Sequence, residues 1–281
     1  MLPLHIIVLL AGIQGLSEAL PVSRSGHDAV AWIWLEPGAN GVRLETVLHV
    51  ATALALLFAA RKRLALAAGA GLRAITRPTL FRSSAKAHDA AVIATALVAS
   101  SVTRAVLDHF TLPWKATPVA TGFGLVLTGL LLGTTHLVGP ARNREPSVSL
   151  AVVLGLAHGA GALPGGSDIG AVLVLSAWMG MKNDLALDLA LLLSGATLFV
   201  NFFSALLEGM VLPDVSPMML IMGFVTAFLG ATVAIGATRL LLEKRALSLT
   251  AFWVVPLGFA MLAYSRAFSE NLTLVMIPRP G

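Results

Sequence analysis

The sequence predicts an all-α polytopic membrane protein, an inverted-topology repeat of about six transmembrane helices and two re-entrant helical hairpins. Three observations carry that expectation: an apolar composition, a set of long runs almost free of charge, and two apolar regions each broken by a polar turn. Of 281 residues, 57% are hydrophobic and 12% charged, and the mean hydropathy is +0.87. Soluble domains carry roughly a quarter charged residues, so about half of that charge is missing and lipid is the solvent for most of the chain. The 19 Lys and Arg exceed the 14 Asp and Glu by five, but they cluster between apolar runs. No basic stripe with interleaved aromatics exists, which argues against nucleic acid as a partner. The absence of cysteine excludes disulfides, thiolate metal sites and cysteine catalysis. The apolar start, 1–14, has no preceding Lys or Arg and reads as part of the folded chain, not as a cleaved leader.

Five stretches are long and apolar enough to cross a bilayer, at 44–60, 88–107, 117–138, 185–207 and 217–242. A sixth, 251–266, is shorter and carries Trp253 and Tyr264 as interfacial anchors. Regions 1–36 and 148–180 are also apolar, but are interrupted at Pro21 to Gly26 and at Pro164 to Asp168. Each half is too short to span alone. Such breaks persist at membrane depth only when buried in protein or lining a wet cavity, so both regions are expected to be re-entrant hairpins.

Positive charge sets the orientation. Arg61, Lys62, Arg63, Arg73, Arg77, Arg82 and Lys86 assign 61–87 to the cytoplasm. Arg142 and Arg144 do so for 139–147, and Lys244 and Arg245 for 243–249. Segment 208–216 carries Glu208 and Asp214 without a basic residue and falls outside. The spans at 44–60 and 185–207 then run in opposite directions. A shift of 143 residues also superposes Gly12 on Gly155, Ala19-Leu20-Pro21 on Ala162-Leu163-Pro164, and Glu45 on Asp188. One further residue aligns Ser23 to Gly26 with Ser167 to Gly170. A single membrane domain, 1–281, is therefore expected to hold two repeats, 1–140 and 141–281, each a hairpin followed by three spans. Inverted repeats with broken helices place binding sites near the midplane.

The first break concentrates Gln14, Ser17, Glu18, Ser23, Arg24, Ser25, His27 and Asp28. A charge at the bilayer centre costs about 2.5–3.5 kcal/mol on insertion scales, so this density needs a reason. Gln14 and Glu18, four apart, share one helix face, and Ser23 to Gly26 would place backbone N–H groups at the mouth of the next helix, a seat for an anion. A Glu18–Arg24 pair that merely stitches the hairpin is the simpler reading; it does not explain three serines and His27.

The segment Gln14-Gly15-Leu16-Ser17-Glu18-Ala19-Leu20-Pro21-Val22-Ser23-Arg24-Ser25-Gly26-His27 resembles the first signature of the undecaprenyl-diphosphatase (bacitracin-resistance) family. Leu163 to Gly170 resembles the second, in a more degraded form. The resemblance implies hydrolysis of a polyprenyl diphosphate to its monophosphate and inorganic phosphate, at a site facing the outside of a bacterial inner membrane. It assigns Gln14 and Glu18 to a divalent cation, Mg²⁺ or Ca²⁺, and Glu18, His27 and Ser25 to catalysis. Phosphate would be bound by Ser23, Arg24, Gly166 and Ser167, with Glu45, His49 and Asp168 around the cavity. Membrane lipids are the implied surroundings, and a homodimer is compatible. Two positions depart from the family pattern: Arg24 stands where the middle serine would be, and Asp168 where an arginine would be. Facing each other across the repeat, they would either pair and close the phosphate seat, or leave a positive charge that has moved from the second break to the first. A non-catalytic carrier or binder of polyprenyl phosphate is the alternative function on this fold.

The other polar residues draw plainer readings. His158 is expected to be a packed imidazole, Asn201 to bond across helices, and His88, His109 and His136 to be solvated near loop ends. Asp188 either lines the cavity or is solvated. No P-loop, dinucleotide fingerprint, His-Glu-x-x-His or Gly-x-Ser-x-Gly motif occurs.

Overall fold

A computed structural model describes residues 2–111, 117–139 and 144–276. Their order is α1 (Leu4–Ala19), α2 (Arg24–Leu35), α3 (Gly38–Ala59), α4 (Arg61–Thr76), α5 (Leu80–Ser83) and α6 (Ala85–Thr111). There follow α7 (Pro118–Thr134), α8 (Val148–Ala160), α9 (Asp168–Trp178), α10 (Asn183–Leu207), α11 (Pro217–Glu243) and α12 (Ala251–Met276). The described residues contain no strand, only an isolated bridge between Arg144 and Met181. Arg142, used above to orient 139–147, lies outside the described residues.

Six helices are long and apolar enough to cross a membrane: α3, α6, α7, α10, α11 and α12. They are the six expected spans, with α3 beginning at Gly38 rather than 44. Caps explain two of the sharpest starts. Thr117 and Ser216 accept from Ala120 N and Met219 N, and Pro118 and Pro217 fill the next position, where no N–H is needed. The segment 61–87, expected as a loop, is instead mostly helical. Its α4 buries Arg63, Ala67, Ala70 and Ala74 on one face and exposes Leu66, Leu72 and Ile75 elsewhere. Its basic residues keep the mean hydropathy far below that of a span, so the segment reads as a loop although the helix is amphipathic.

The four half-helices are short. α1 has 16 residues, α2 12, α8 13 and α9 11, and at 1.5 Å per residue none covers the ~30 Å of a bilayer core. Their packing is reciprocal between the two halves: α1 lies along α11, α8 along α6, α3 along α10 and α7 along α12. Small residues permit the close crossings. A Cβ on Gly15 would strike the Ala227 carbonyl of α11, and one on Gly155 the Ala96 carbonyl of α6. The main core gathers α10 residues Leu187 and Leu189 to Leu193 with Leu56, Val92, Leu154 and Leu173. Phe123, Leu130, Leu229, Phe252 and Phe259 point outward, as lipid-facing residues do.

At the basic end of the fold Arg63 is 8% exposed and forks onto Asp89, with Nε and Nη2 at 2.9 and 2.7 Å, while Nη1 donates to the Leu185 carbonyl at 2.6 Å. One guanidinium thus ties α4 to α6 and α10. Removing one partner of a buried pair costs about 3–5 kcal/mol; Asp89 keeps a quarter of its side chain exposed, which sets the lower end. Asp89→Ala should therefore destabilise the fold by ~3 kcal/mol, read as earlier thermal unfolding in detergent, whereas Lys62→Ala on the same helix should be nearly silent.

Candidate active site

Two polar breaks meet at the centre of the fold. The first, Leu20 to Ser23, joins α1 to α2; the second, Gly161 to Ser167, joins α8 to α9. Both are capped alike. Ser23 Oγ accepts from Gly26 N at 3.1 Å, and Ser167 Oγ from Gly170 N at 3.1 Å, so the aligned serines do the same work in the two repeats. These caps use the third amide of each helix. The first two, on Arg24 and Ser25 and on Asp168 and Ile169, lie at the junction of the breaks as anion donors.

Partner helices hold the breaks in place. Thr238 of α11 donates to the Ala19 carbonyl at 2.8 Å, satisfying the end of α1. Thr128 of α7 donates to the Gly165 carbonyl at 2.9 Å, and Gly165 N donates to Ser25 Oγ at 3.2 Å. Gly165 has φ +73°, and a Cβ there would meet the Thr121 carbonyl, so only glycine fits. Ser23 has φ +76° without being glycine. That is strain of about 1–3 kcal/mol, tolerated because its hydroxyl caps α2 and its carbonyl accepts from His27.

Between the breaks lies a cleft with about 50 Å³ of water-accessible volume, lined by Ser17, Glu18, Arg24, Ser25, Arg104 and Asp168 together with Gly161, Ala162, Gly166 and Ser167. Arg24 is its hub. Its Nε lies 2.7 Å from Glu18 Oε2, and its Nη1 contacts Glu45 Oε1 at 3.1 Å, Asp28 Oδ2 at 3.3 Å and His49 Nε2 at 3.3 Å. The Glu18 contact is an ion pair off the hydrogen-bond line, which leaves Glu18 Oε2 formally unbonded. Gln14, Ser17 and Glu18 form one buried polar face of α1, and neither amide atom of Gln14 nor the Ser17 hydroxyl has a partner among the described residues.

Several expectations are corrected by this arrangement. Arg24 and Asp168 share the cleft but do not pair: Asp168 is bonded to Arg104 of α6, and Arg24 is taken by Glu18, Glu45 and Asp28. Arg104 is the cationic residue missing from the sequence reading; its signal was a lone charge inside an apolar span. Ser23 is buried as a cap and does not line the cleft. Nor does His27. Trp253 Nε1 can only donate, and it donates to His27 Nε2 at 2.8 Å, so Nδ1 carries the proton and gives it to the Ser23 carbonyl at 2.7 Å. Both ring nitrogens are spent away from the cleft. His158 is a buried stitch as expected, bonded to Ser100 of α6 at 2.7 Å and Ser194 of α10 at 3.0 Å. Asp188 lines a roomier polar cavity with Lys62, Arg63, Arg82 and Lys86, far along the chain's basic end from the breaks.

The donor set does not fit a divalent cation as it stands. Glu18, Glu45, Asp28 and His49 are spread around the Arg24 guanidinium, which fills the space between them; among the described residues no group of three or more acidic or histidine side chains is arranged to hold a metal.

A second groove adjoins the cleft. Arg24 and Ser25 line both, and the groove continues over Ala29, Trp32, Ile33, Pro118 and Met261, with about 490 Å³ of water-accessible volume. The far side of the cleft, at Gly161, Gly166 and Ser167, opens onto an apolar pocket walled by Leu127, Leu131, Leu163 and Val174.

The chain is similar to known proteins over most of its length. The family model described as bacitracin resistance protein BacA matches residues 7–260. An undecaprenyl-diphosphatase of Treponema denticola is 28% identical over 272 residues, covering 93% of this chain and 97% of the relative. Those of Rubrobacter xylanophilus and Geobacter metallireducens are 31% and 30% identical, over 69% and 68% of this chain and 72% and 71% of theirs.

The Arg104–Asp168 pair is open to a direct check. Arg104→Asp should destabilise the protein, and adding Asp168→Arg should recover about 1–3 kcal/mol as coupling. Additive losses in thermal unfolding would show that the two side chains do not act as a pair.

Proposed function

This chain belongs to the bacitracin resistance protein BacA family, and from that premise we propose that it hydrolyses a polyprenyl diphosphate, with undecaprenyl diphosphate the first substrate to test, to the monophosphate and inorganic phosphate. The observation that carries the reading is the shared wall of cleft and groove. A lipid diphosphate has a short polyanionic head and a long apolar tail. Arg24 and Ser25 stand where the two meet, with the first amides of α2 and α9 beside the head and Trp32, Ile33 and Met261 along the tail. The names of the relatives support the same substrate.

The reaction follows from the groups lining the cleft. Ser25 Oγ passes its proton to the Glu18 carboxylate and attacks the terminal phosphorus. The bridging P–O bond breaks, and the lipid monophosphate leaves with that oxygen. Water then attacks the phosphorus of the phosphoserine, the serine oxygen takes back the proton held by Glu18, and phosphate leaves with the water oxygen and one of its protons, the other passing to solvent. Arg24, Arg104 and the helix amides stabilise the charge that gathers on the phosphoryl oxygens. His27 holds the turn through Ser23 and does not touch the substrate. The multi-pass chain is placed in the bacterial inner membrane, with 61–87 and 243–249 cytoplasmic and the groove toward the outer face, a reading supported by the basic segments. Carriage of polyprenyl phosphate without hydrolysis is the second reading, favoured by the apolar pocket on the far side of the cleft.

Purified protein with undecaprenyl diphosphate should release inorganic phosphate. Glu18→Ala and Ser25→Ala should each lower kcat by about 10² or more, whereas His27→Ala should cost far less. Saturable lipid binding without phosphate release would overturn hydrolysis in favour of carriage, and full activity in Ser25→Ala would remove the nucleophile.

A further inference from the structure

We propose that Arg24 takes the place of the divalent cation in this chain, so that the cleft binds and processes its phosphate ligand without a metal ion. This rests on the reading of the cleft as a diphosphate site. The cation implied by the family resemblance would be held by Gln14 and Glu18, with Glu45 and His49 nearby. In the structure Glu18, Glu45 and His49 all face one atom group, the Arg24 guanidinium, at 2.7 to 3.3 Å. Asp28, one turn along α2, faces it as well. A metal ion at that point would need the guanidinium to leave.

The counterargument is charge. Three carboxylates face one guanidinium, and Arg104 is already matched to Asp168, so the cluster has a formal surplus of negative charge that a cation could use. Position decides against it. Metal ligands must close to about 2.0–2.6 Å on one centre, whereas these oxygens are spread around a planar cation several ångströms across. Arg24 also has the chemistry of the role. Its Nε and Nη1 face the acids, Nη2 makes no hydrogen bond to a described residue, and the side chain lines the cleft, so an edge remains for phosphoryl oxygens.

The same geometry says what removing Arg24 would do. In Arg24→Ser three acids and an imidazole would surround a gap with no counter-charge, which is a hard-cation site. Two measurements on the full-length purified protein test this. The first is binding without turnover: terbium luminescence and the thermal shift given by Ca²⁺. The wild type should show neither, and Arg24→Ser should show both, with Glu18→Gln added to Arg24→Ser abolishing them. The second is phosphate release from undecaprenyl diphosphate after exhaustive chelation. The wild type should keep its rate within about twofold, while Arg24→Ser should become dependent on added Mg²⁺ or Ca²⁺ by about tenfold or more. Calcium binding by the wild type that is lost in Glu18→Gln, or loss of wild-type turnover on chelation with recovery on adding metal, would overturn the proposal. No release under any metal condition would defeat the phosphatase reading instead, and the binding measurement would still decide whether Arg24 excludes the cation. If Arg24→Ser fails to fold, Arg24→Lys serves: it keeps the charge, and should neither bind Ca²⁺ nor respond to chelation.

Discussion

A guanidinium ringed by three carboxylates is a costly thing to put inside an apolar fold, and the rest of the site depends on how that cost is met. Arg24 opens α2, so its side chain leaves from the helix end that also presents free amides. Glu18 approaches from α1, Glu45 and His49 from α3, and Asp28 from the next turn of α2. Three helices are thereby fixed relative to one another by one cation. Truncating any one acid leaves the others paired, but removing the cation leaves several partly buried charges without a partner.

The second break is fixed by a different kind of force. Its carbonyls and amides are bonded to Thr128 and Ser25, and Gly165 adopts a backbone conformation that a side chain would forbid. Its charge, Asp168, is neutralised from α6 by Arg104, a residue of the other half of the chain. The two breaks are alike in their serine caps and unlike in their electrostatics. The cleft still contains two guanidinium groups, one from α2 and one from α6, so the two departures from the family signatures do not strip it of cations. They change which helix carries each one.

Much of the fold was legible because lipid imposes strict rules. Six apolar runs became six helices, and the two breaks lie where polar residues interrupt apolar sequence. The helix α4 was not legible, since its basic residues keep the mean hydropathy far below that of a span. The site was legible as a segment and not as a set of contacts. Gln14, Ser17, Glu18 and Ser25 fall where their helical spacing puts them. A pairing of Arg24 with Asp168 was one of two arrangements that repeat alignment left open, since alignment equates positions but does not say where long side chains reach. Arg104, about sixty to eighty positions from either signature, carried no motif. His27 matched a motif, yet its ring turns to Trp253, a contact over 226 residues of sequence that no local pattern encodes.

The chemistry left to the side chains follows from having a guanidinium where a metal would otherwise sit. A bound Mg²⁺ or Ca²⁺ can coordinate water and make it a better nucleophile. A guanidinium cannot; it offers charge and directed N–H groups and nothing more. A cleft organised by Arg24 would instead rely on a protein hydroxyl or on water activated by a carboxylate. Among the hydroxyls of the first break, Ser23 is consumed as a cap and Ser17 lies on the buried face of α1, whereas Ser25 lines both the cleft and the lipid groove. Its oxygen accepts one N–H, from Gly165, and lies 3.5 Å from Ser23 Oγ. On the proposed mechanism, Arg24 supplies the charge and Ser25, which keeps the family pattern, supplies the attacking hydroxyl.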